Sequence, residues 1–598
     1  MLPTNRPSAL SRRQFVLRVG AGAAVSAVGL LIAACQPAPT ASPTSAPLAP
    51  PKPTTAPGGA APGAAAAQPT VAPAATSAPA AAASTAPAAT AAPAAGTPKR
   101  GGTLVMAQAS DPNPVPGNND GSQGTVLSGL VFQGLIYVDK DRNIKPNLAE
   151  SWESNENQTE YTFHLRKGVK WQDGQDFSAG DVAFTYKEIT PKYVPTASAT
   201  FKNILQKVET SDPSTVKLTL TKEYGPFLAF LNVPIVPEHV YAGTDYSANP
   251  ANRSPIGTGP FRVTSWTPGD SIVFERSENY WKPGQPYLDG IVLKIIPQGA
   301  SRIAALKAGE IDYLPYTEVV PQDFASIKDD PSFQSATGLT SQAQVYLTLN
   351  LDHEPFNNKQ VRQALMTALD RETMTQQITL GVDSPAISAF HNSITWAQNP
   401  SVNLLKQYAF DPSRANQMLD EAGLPKGADG NRTKPLRMYV EIGRPNFDAI
   451  SQFVAQQWKT VGIPVTIMPL DRAVMQDMVF VKRDFDVNMN ESNTGGDPEI
   501  GLARFYTCNS IQPIPSTNGA GYCNPDVDKL FAAGAEPSDP AQRGPSYAQI
   551  VKILADDVPY LSLIDRQDHS VASTRFELKS TFWNTGLIYD QMSGVYQK

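Results

Sequence analysis

YTFHLRKGVKWQDGQDFSAGD, Tyr161 to Asp181, is the stretch from which the rest of the chain can be read. Tyr161, Phe163 and Leu165 alternate with Thr162, His164 and Arg166, the period-two pattern of a half-buried strand. Asp173-Gly174 predicts a turn, because glycine takes the positive φ that such turns need. Ser178 and Asp181 stand three apart where a helical segment begins and read as an N-cap with an acidic partner. Strand, turn and capped helix follow from local physics, and none of them names an activity.

Working outward toward the N-terminus, Met1 to Ala34 carries Arg6, Arg12, Arg13 and Arg18, no acid, and an apolar run from Val19 to Ala34. A basic front with an apolar core this short predicts a secretory signal rather than a permanent span. Ser11-Arg12-Arg13-Gln14-Phe15-Val16-Leu17 resembles the twin-arginine export motif, and Ile32-Ala33-Ala34-Cys35 resembles a lipobox, which implies lipidation of Cys35. From Gln36 to Pro98 the chain is almost wholly Ala, Pro, Thr, Ser and Gly, with Lys52 its one charge and no aromatic residue. Such a composition cannot offset its ordering entropy, so a disordered tether is expected over 35–99. Its reach would be at most roughly 200 Å.

The formal charge is −6, and removal of the signal with its four arginines takes it to −10. An acidic chain without a lysine-arginine run argues against nucleic acid and against an anionic bilayer as partners. With Cys35 acylated, Cys508 and Cys523 remain, and in an exported protein such a pair is expected to form a disulfide. Two thiolates with no nearby histidine fall short of a metal site.

YTFHLRKGVKWQDGQDFSAGDV as a whole closely resembles the signature of the family-5 extracellular solute-binding proteins, the peptide- and nickel-type receptors of bacterial ABC importers. Further phrases resemble that family in its order: Gly101–Ala107, Leu130–Asp139, Leu148–Trp152, Ile256–Phe261, Glu310–Asp312, Asp411–Gly423 and Val454–Val465. Ile256-Gly257-Thr258-Gly259 lacks the Gly-Lys-Ser/Thr ending of a phosphate loop, and its glycines are read as permitting a tight turn into a strand.

The resemblance implies an α/β fold of the periplasmic-binding-protein type, two lobes joined by crossover strands, with an extra subdomain on the first lobe. Taking Val345–Asn350 and Phe485–Asn490 as the crossovers places the first lobe at 100–344, the second at 345–490, and the return to the first at 491–598. It implies a solute held between closing lobes, with Arg444 of Arg444-Pro445 pairing a ligand carboxylate. Asn493, Thr494, Gly495 and Asp497, around a Gly-Asp-Pro phrase, are expected at the ligand too, Asp497 either touching it or holding its loop. Asn350 is a further candidate, as is Asn119 in the loop Ser110–Gly124, which either overhangs the cleft or is an ordinary surface loop. Dipeptide binders of the family carry an aspartate where this chain has Thr494, and a hydroxyl cannot balance a buried ammonium. Free dipeptides are therefore disfavoured as ligands.

The expected partners are a peptide or similar small solute and the permease subunits of an ABC importer, with the membrane reached only through the lipid anchor at the outer face. A monomer without cofactor is expected. Oligosaccharide, nickel chelate or haem as ligand, and a sensory rather than transport role, stay open. An enzyme is not expected: there is no His-Glu-x-x-His or Gly-x-Ser-x-Gly, and the histidines are scattered (His164, His239, His353, His391, His569). A chain begun at Lys99 is expected to keep the solute affinity of the longer chain in calorimetry; a tenfold loss would make residues 36–98 part of the binding unit.

Overall fold

The computed structural model describes residues 98–117, 122–139, 143–338, 342–493, 497–578 and 589–598. The signal, Cys35 and the tether lie outside the described residues, as do Asn119, Thr494 and Gly495.

Two mixed sheets organise the fold. The first runs in the order Phe333–Gly338, Asp568–Ser573, Tyr313–Leu314, Thr103–Gln108, Gly290–Ile295, Ser271–Arg276, Phe261–Thr267. Its strand Thr103–Gln108 is parallel to both neighbours. The second runs Ser384–Pro385, Tyr560–Asp565, Ala343–Leu349, Val487–Asn493, Leu436–Glu441, Val465–Leu470. There Leu436–Glu441 is parallel to both neighbours and Ala343–Leu349 antiparallel to both of its own. Leu347, Leu349, Met438, Val440, Val487 and Leu561 form one core with the helices Lys359–Thr367 and Phe447–Thr460.

An antiparallel four-stranded sheet, Ala149–Ser154, Glu160–Leu165, Thr215–Leu220, Leu205–Asp212, makes the accessory subdomain. Tyr161, Phe163 and Leu165 are buried and their neighbours are not, as the alternation requires. Gly174 has φ +91°, and Ser178 and Asp181 form a reciprocal capping box on the helix Ala179–Phe184. The Gly257/Gly259 phrase leads into the strand from Phe261, but the need for glycine there is space. A Cβ at Gly257 would stand 1.8 Å from the Val131 carbonyl oxygen, and at Gly259 2.6 Å. The helix Lys359–Thr367 is followed at once by a second, Arg371–Ile378, which Asp370 caps by accepting from the Thr373 amide.

The lobe boundaries need a correction. Val487–Asn493 does not return the chain to the first sheet; it is an inner strand of the second, bonded to Ala343–Leu349 on one side and Leu436–Glu441 on the other. The return comes between Asp565 and Asp568, since Tyr560–Asp565 pairs in the second sheet and Asp568–Ser573 in the first. The second lobe therefore spans about 342–565, and the helices Pro525–Ala535 and Pro540–Asp557 belong to it.

Cys508 and Cys523 are bonded to each other across a sequence separation of 15. Closing a loop of that length constrains the unfolded chain by about 3 kcal/mol. Replacing both cysteines by serine is expected to lower the unfolding free energy by an amount of that order in denaturant titration; an unchanged midpoint would remove the bond from the stability account.

Candidate functional site

Strand direction decides where the lobes face each other. The strands Leu436–Glu441, Val465–Leu470, Val487–Asn493 and Tyr560–Asp565 all end at the side of the second sheet from which the chain crosses over. In the first sheet Gln108, Ile295 and Leu314 end strands at the side where Asp568 enters. Carboxyl ends of strands thus meet carboxyl ends across the crossovers, the position at which open α/β sheets hold ligands.

On the second-lobe wall Tyr346 is buried, and its hydroxyl, without a well-formed hydrogen bond, faces Ser492. Burial pushes its pKa up to about 12, while Arg504 and Arg444 draw it back and Glu491 adds to the rise. A small half-open recess, with a volume of about 10 Å³, lies against it, lined among others by Ser492, Phe505, Tyr506 and Tyr560. Gln344 also lines it but is fully engaged: its amide donates to Asp565 Oδ1 (2.7 Å) and the Ser388 carbonyl (3.2 Å) and accepts from Ser562 (2.8 Å). Asp565, 1 % exposed, has its pKa raised to about 7 by burial, against the opposing bonds from Gln344 and the Asn392 amide.

Arg444 stands at this end, following the strand Leu436–Glu441, with its side chain 32 % exposed. Its Nε donates to Glu441 Oε2 at 3.3 Å and its guanidinium lies 5.7 Å from the Phe447 ring, so the charge is already balanced in part. Asn446 does not cap the next helix with its side chain; its Oδ1 accepts from Gln322 Nε2 of the first lobe at 2.8 Å. Asn493 ends its strand opposite Ala343 at the crossover.

Two further candidates are engaged within the protein. Asn350 is fully buried, and its amide donates to the carbonyls of Arg483 and Phe485 at 3.0 Å each, so it pins a turn. Asp497 takes the loop-holding role: both oxygens accept from Arg543 (2.6 and 2.8 Å), and Oδ1 also accepts from the Glu499 amide. Arg543 is in turn stacked 5.1 Å from Trp396. Arg504 was missed by the sequence reading, although an arginine set among aromatics in Ala503-Arg504-Phe505-Tyr506 was a usable signal. Among the described residues no group of three or more His, Cys, Asp or Glu side chains is placed to hold a metal ion. No described helix is long and apolar enough to cross a membrane.

A second lobe-to-lobe contact joins the accessory subdomain to the loop after Pro525–Ala535. The Gly225 amide donates to the Ala535 carbonyl at 2.7 Å, and a Cβ on Gly225 would stand 2.0 Å from the Pro537 oxygen. Lys222 lies 3.7 Å from Glu536. Glu499 comes close to the same contact, with Oε2 buried and unbonded. Burial first, then Asp497, raises its pKa to about 7, opposed by Arg543 and Lys222.

Residues 143–513 match the model of the bacterial extracellular solute-binding proteins, family 5. The chain is 29 % identical over 499 residues to the oligopeptide-binding protein AppA of Bacillus subtilis, covering 81 % of this chain and 89 % of that one. It is 28 % identical over 458 residues to the glutathione-binding protein GsiB of Escherichia coli K12, covering 76 % and 86 %. The structure of B. subtilis AppA with a nonapeptide superimposes with a TM-score of 0.70 at 26 % identity, over 84 % of this chain and all of that one. That of Campylobacter jejuni NikZ with Ni(L-His) gives 0.68 at 24 %, over 79 % and 94 %, a likeness of fold.

Glu499 and Asp565 ionise near pH 4 to 4.5 when unfolded and near 7 when folded. Between those values the folded protein holds more protons, so its stability falls as pH rises from about 4 to 7. Glu499→Gln is expected to flatten that fall in unfolding midpoints taken across the range; an unaltered slope would mean Glu499 does not titrate there.

Proposed function

This chain belongs to the bacterial extracellular solute-binding proteins, family 5, and from that premise we infer that it is the extracytoplasmic receptor of an ABC importer, capturing a peptide or similar small polar solute between its lobes. The observation that carries this reading is the meeting of two sets of strand ends across the crossovers, with direct contacts between lobes at Gln322–Asn446 and Gly225–Ala535. A solute enclosed there is held by closure about the crossovers. The names of AppA and GsiB support peptides as the ligand class. The arginine pair Arg12-Arg13 and Cys35 support export by the twin-arginine route and a lipid anchor at the outer face of the membrane.

Within the cleft, Arg444 keeps one role from the sequence: its terminal nitrogens remain for a ligand carboxylate while Nε stays on Glu441. Thr494, outside the described residues, offers no negative charge for a ligand ammonium. The reading is tested by native mass spectrometry of whatever leaves the purified protein on mild denaturation: a small solute is expected, and repeated recovery of none would count against capture. In calorimetry N-acetylated dipeptides are expected to bind more tightly than the free forms. Because Glu441 already balances it, Arg444→Ala is expected to cost only about tenfold, near 1.4 kcal/mol. Equal or tighter binding of the free form, with no effect of Arg444→Ala, would contradict the charge argument.

A further inference from the structure

The contact between the accessory subdomain and the second lobe is apolar at its centre. Ala535, at the end of the helix Pro525–Ala535, is 4 % exposed and shares one core with Tyr224, Phe227 and Phe230 of the accessory subdomain. Ile500, just after Glu499, packs against the same core. The Gly225 amide closes on the Ala535 carbonyl, and the nearness of the Pro537 carbonyl leaves no room there for a side chain. Lys222 and Glu536 stand at the exposed rim.

Glu499 enters this seam from the second lobe. Its Oε2 is buried without a hydrogen bond, where a buried carboxylate ordinarily has one. Asp497 opposes it from the start of its own helix. Arg543 and Tyr547 face it from the helix Pro540–Asp557, and Lys222 and Tyr224 from the accessory subdomain. Arg543 is committed to both oxygens of Asp497, and Lys222 lies half exposed beside Glu536, so neither is bonded to Glu499 Oε2. A negative charge held there is poorly answered, and a proton relieves it.

We propose that Glu499 is a proton-operated latch on lobe closure: protonated, it lets the accessory subdomain dock on the second lobe, and ionised, it loosens that docking. The inference rests on the receptor reading of the cleft and adds a control on how long the lobes stay shut. Undocking returns Glu499 to water, where its carboxyl ionises near pH 4.5, against about 7 when docked. Between those values the docked form holds the extra proton, so docking is fully favoured below about pH 4.5 and weakens as pH rises to about 7. A solute enclosed in acidic surroundings is then kept longer than one enclosed at neutral pH.

Amide hydrogen exchange over the segment carrying Gly225 reports the docking directly, because that N–H is protected by the Ala535 carbonyl across the contact. Protection is taken against the intrinsic exchange rate at about pH 5 and about pH 8, in the whole protein and with no solute added. Wild type is expected to lose at least tenfold in protection between the two. Glu499→Gln, of the same shape and without the charge, should keep at the higher pH the protection that wild type has at the lower. Asp565 titrates in both proteins, so the difference between them belongs to Glu499. The core strand Ala343–Leu349 should exchange more slowly than Gly225 throughout, since the latch opens without unfolding the lobe. Protection at Gly225 that ignores pH in wild type, a loss that Glu499→Gln repeats, or equal exchange of the two segments overturns the proposal. Solute capture is measured separately, so the receptor reading stands or falls without this one.

Discussion

Four residues, Asp565-Arg566-Gln567-Asp568, carry the chain from the second sheet back to the first, and buried charge holds them in place. Arg566 reaches Glu491 at 3.0 Å and Asp383 at 3.8 Å, both in the second lobe. Asp383, itself buried, accepts from the Gln567 amide at 2.9 Å and lies 3.9 Å from His569, on the first sheet and stacked 4.2 Å from Phe324. Asp565 is bonded by Gln344, which Ser562 and the Ser388 carbonyl hold in turn. A crossover packed this way resists arbitrary bending, because each polar group that loses its partner in a low-dielectric setting is costly.

That arrangement explains why the cleft wall is so rich in arginine. The strand ends collect carboxylates, Glu441 and Glu491 among them, and each structural acid needs a cation to stay ionised while partly buried. Arg543 plays the same part for Asp497, tying the Gly-Asp-Pro loop to the helix Pro540–Asp557. Arg504 departs from that pattern: its Nε donates to the Gly501 carbonyl.

Local patterns in the sequence translated directly. The alternation at Tyr161, Phe163 and Leu165 and the Ser178–Asp181 box each rest on contacts within a few residues. Non-local pairing was hidden. Phe485–Asn490 looks like a crossover because it is short and β-rich, but only its partners, about 140 residues upstream in Ala343–Leu349 and some 50 upstream in Leu436–Glu441, place it inside the second sheet. Asn350 reads as a polar strand end; its burial depends on carbonyls 133 and 135 residues away. Asp497 reads equally as a ligand contact or a loop holder, because Arg543, which binds both its oxygens, lies 46 residues on.

Closure about the crossovers is the central claim, and the Gln322–Asn446 contact bridges the lobes where it can be controlled. Gln322→Cys with Asn446→Cys, joined by a short bismaleimide, ties the lobes at that point. Protein stripped of solute and then cross-linked is expected to take up none of the solute identified from the wild type, and protein cross-linked with solute inside is expected not to release it. Exchange in the cross-linked protein as fast as in the untied double variant would contradict capture by lobe closure.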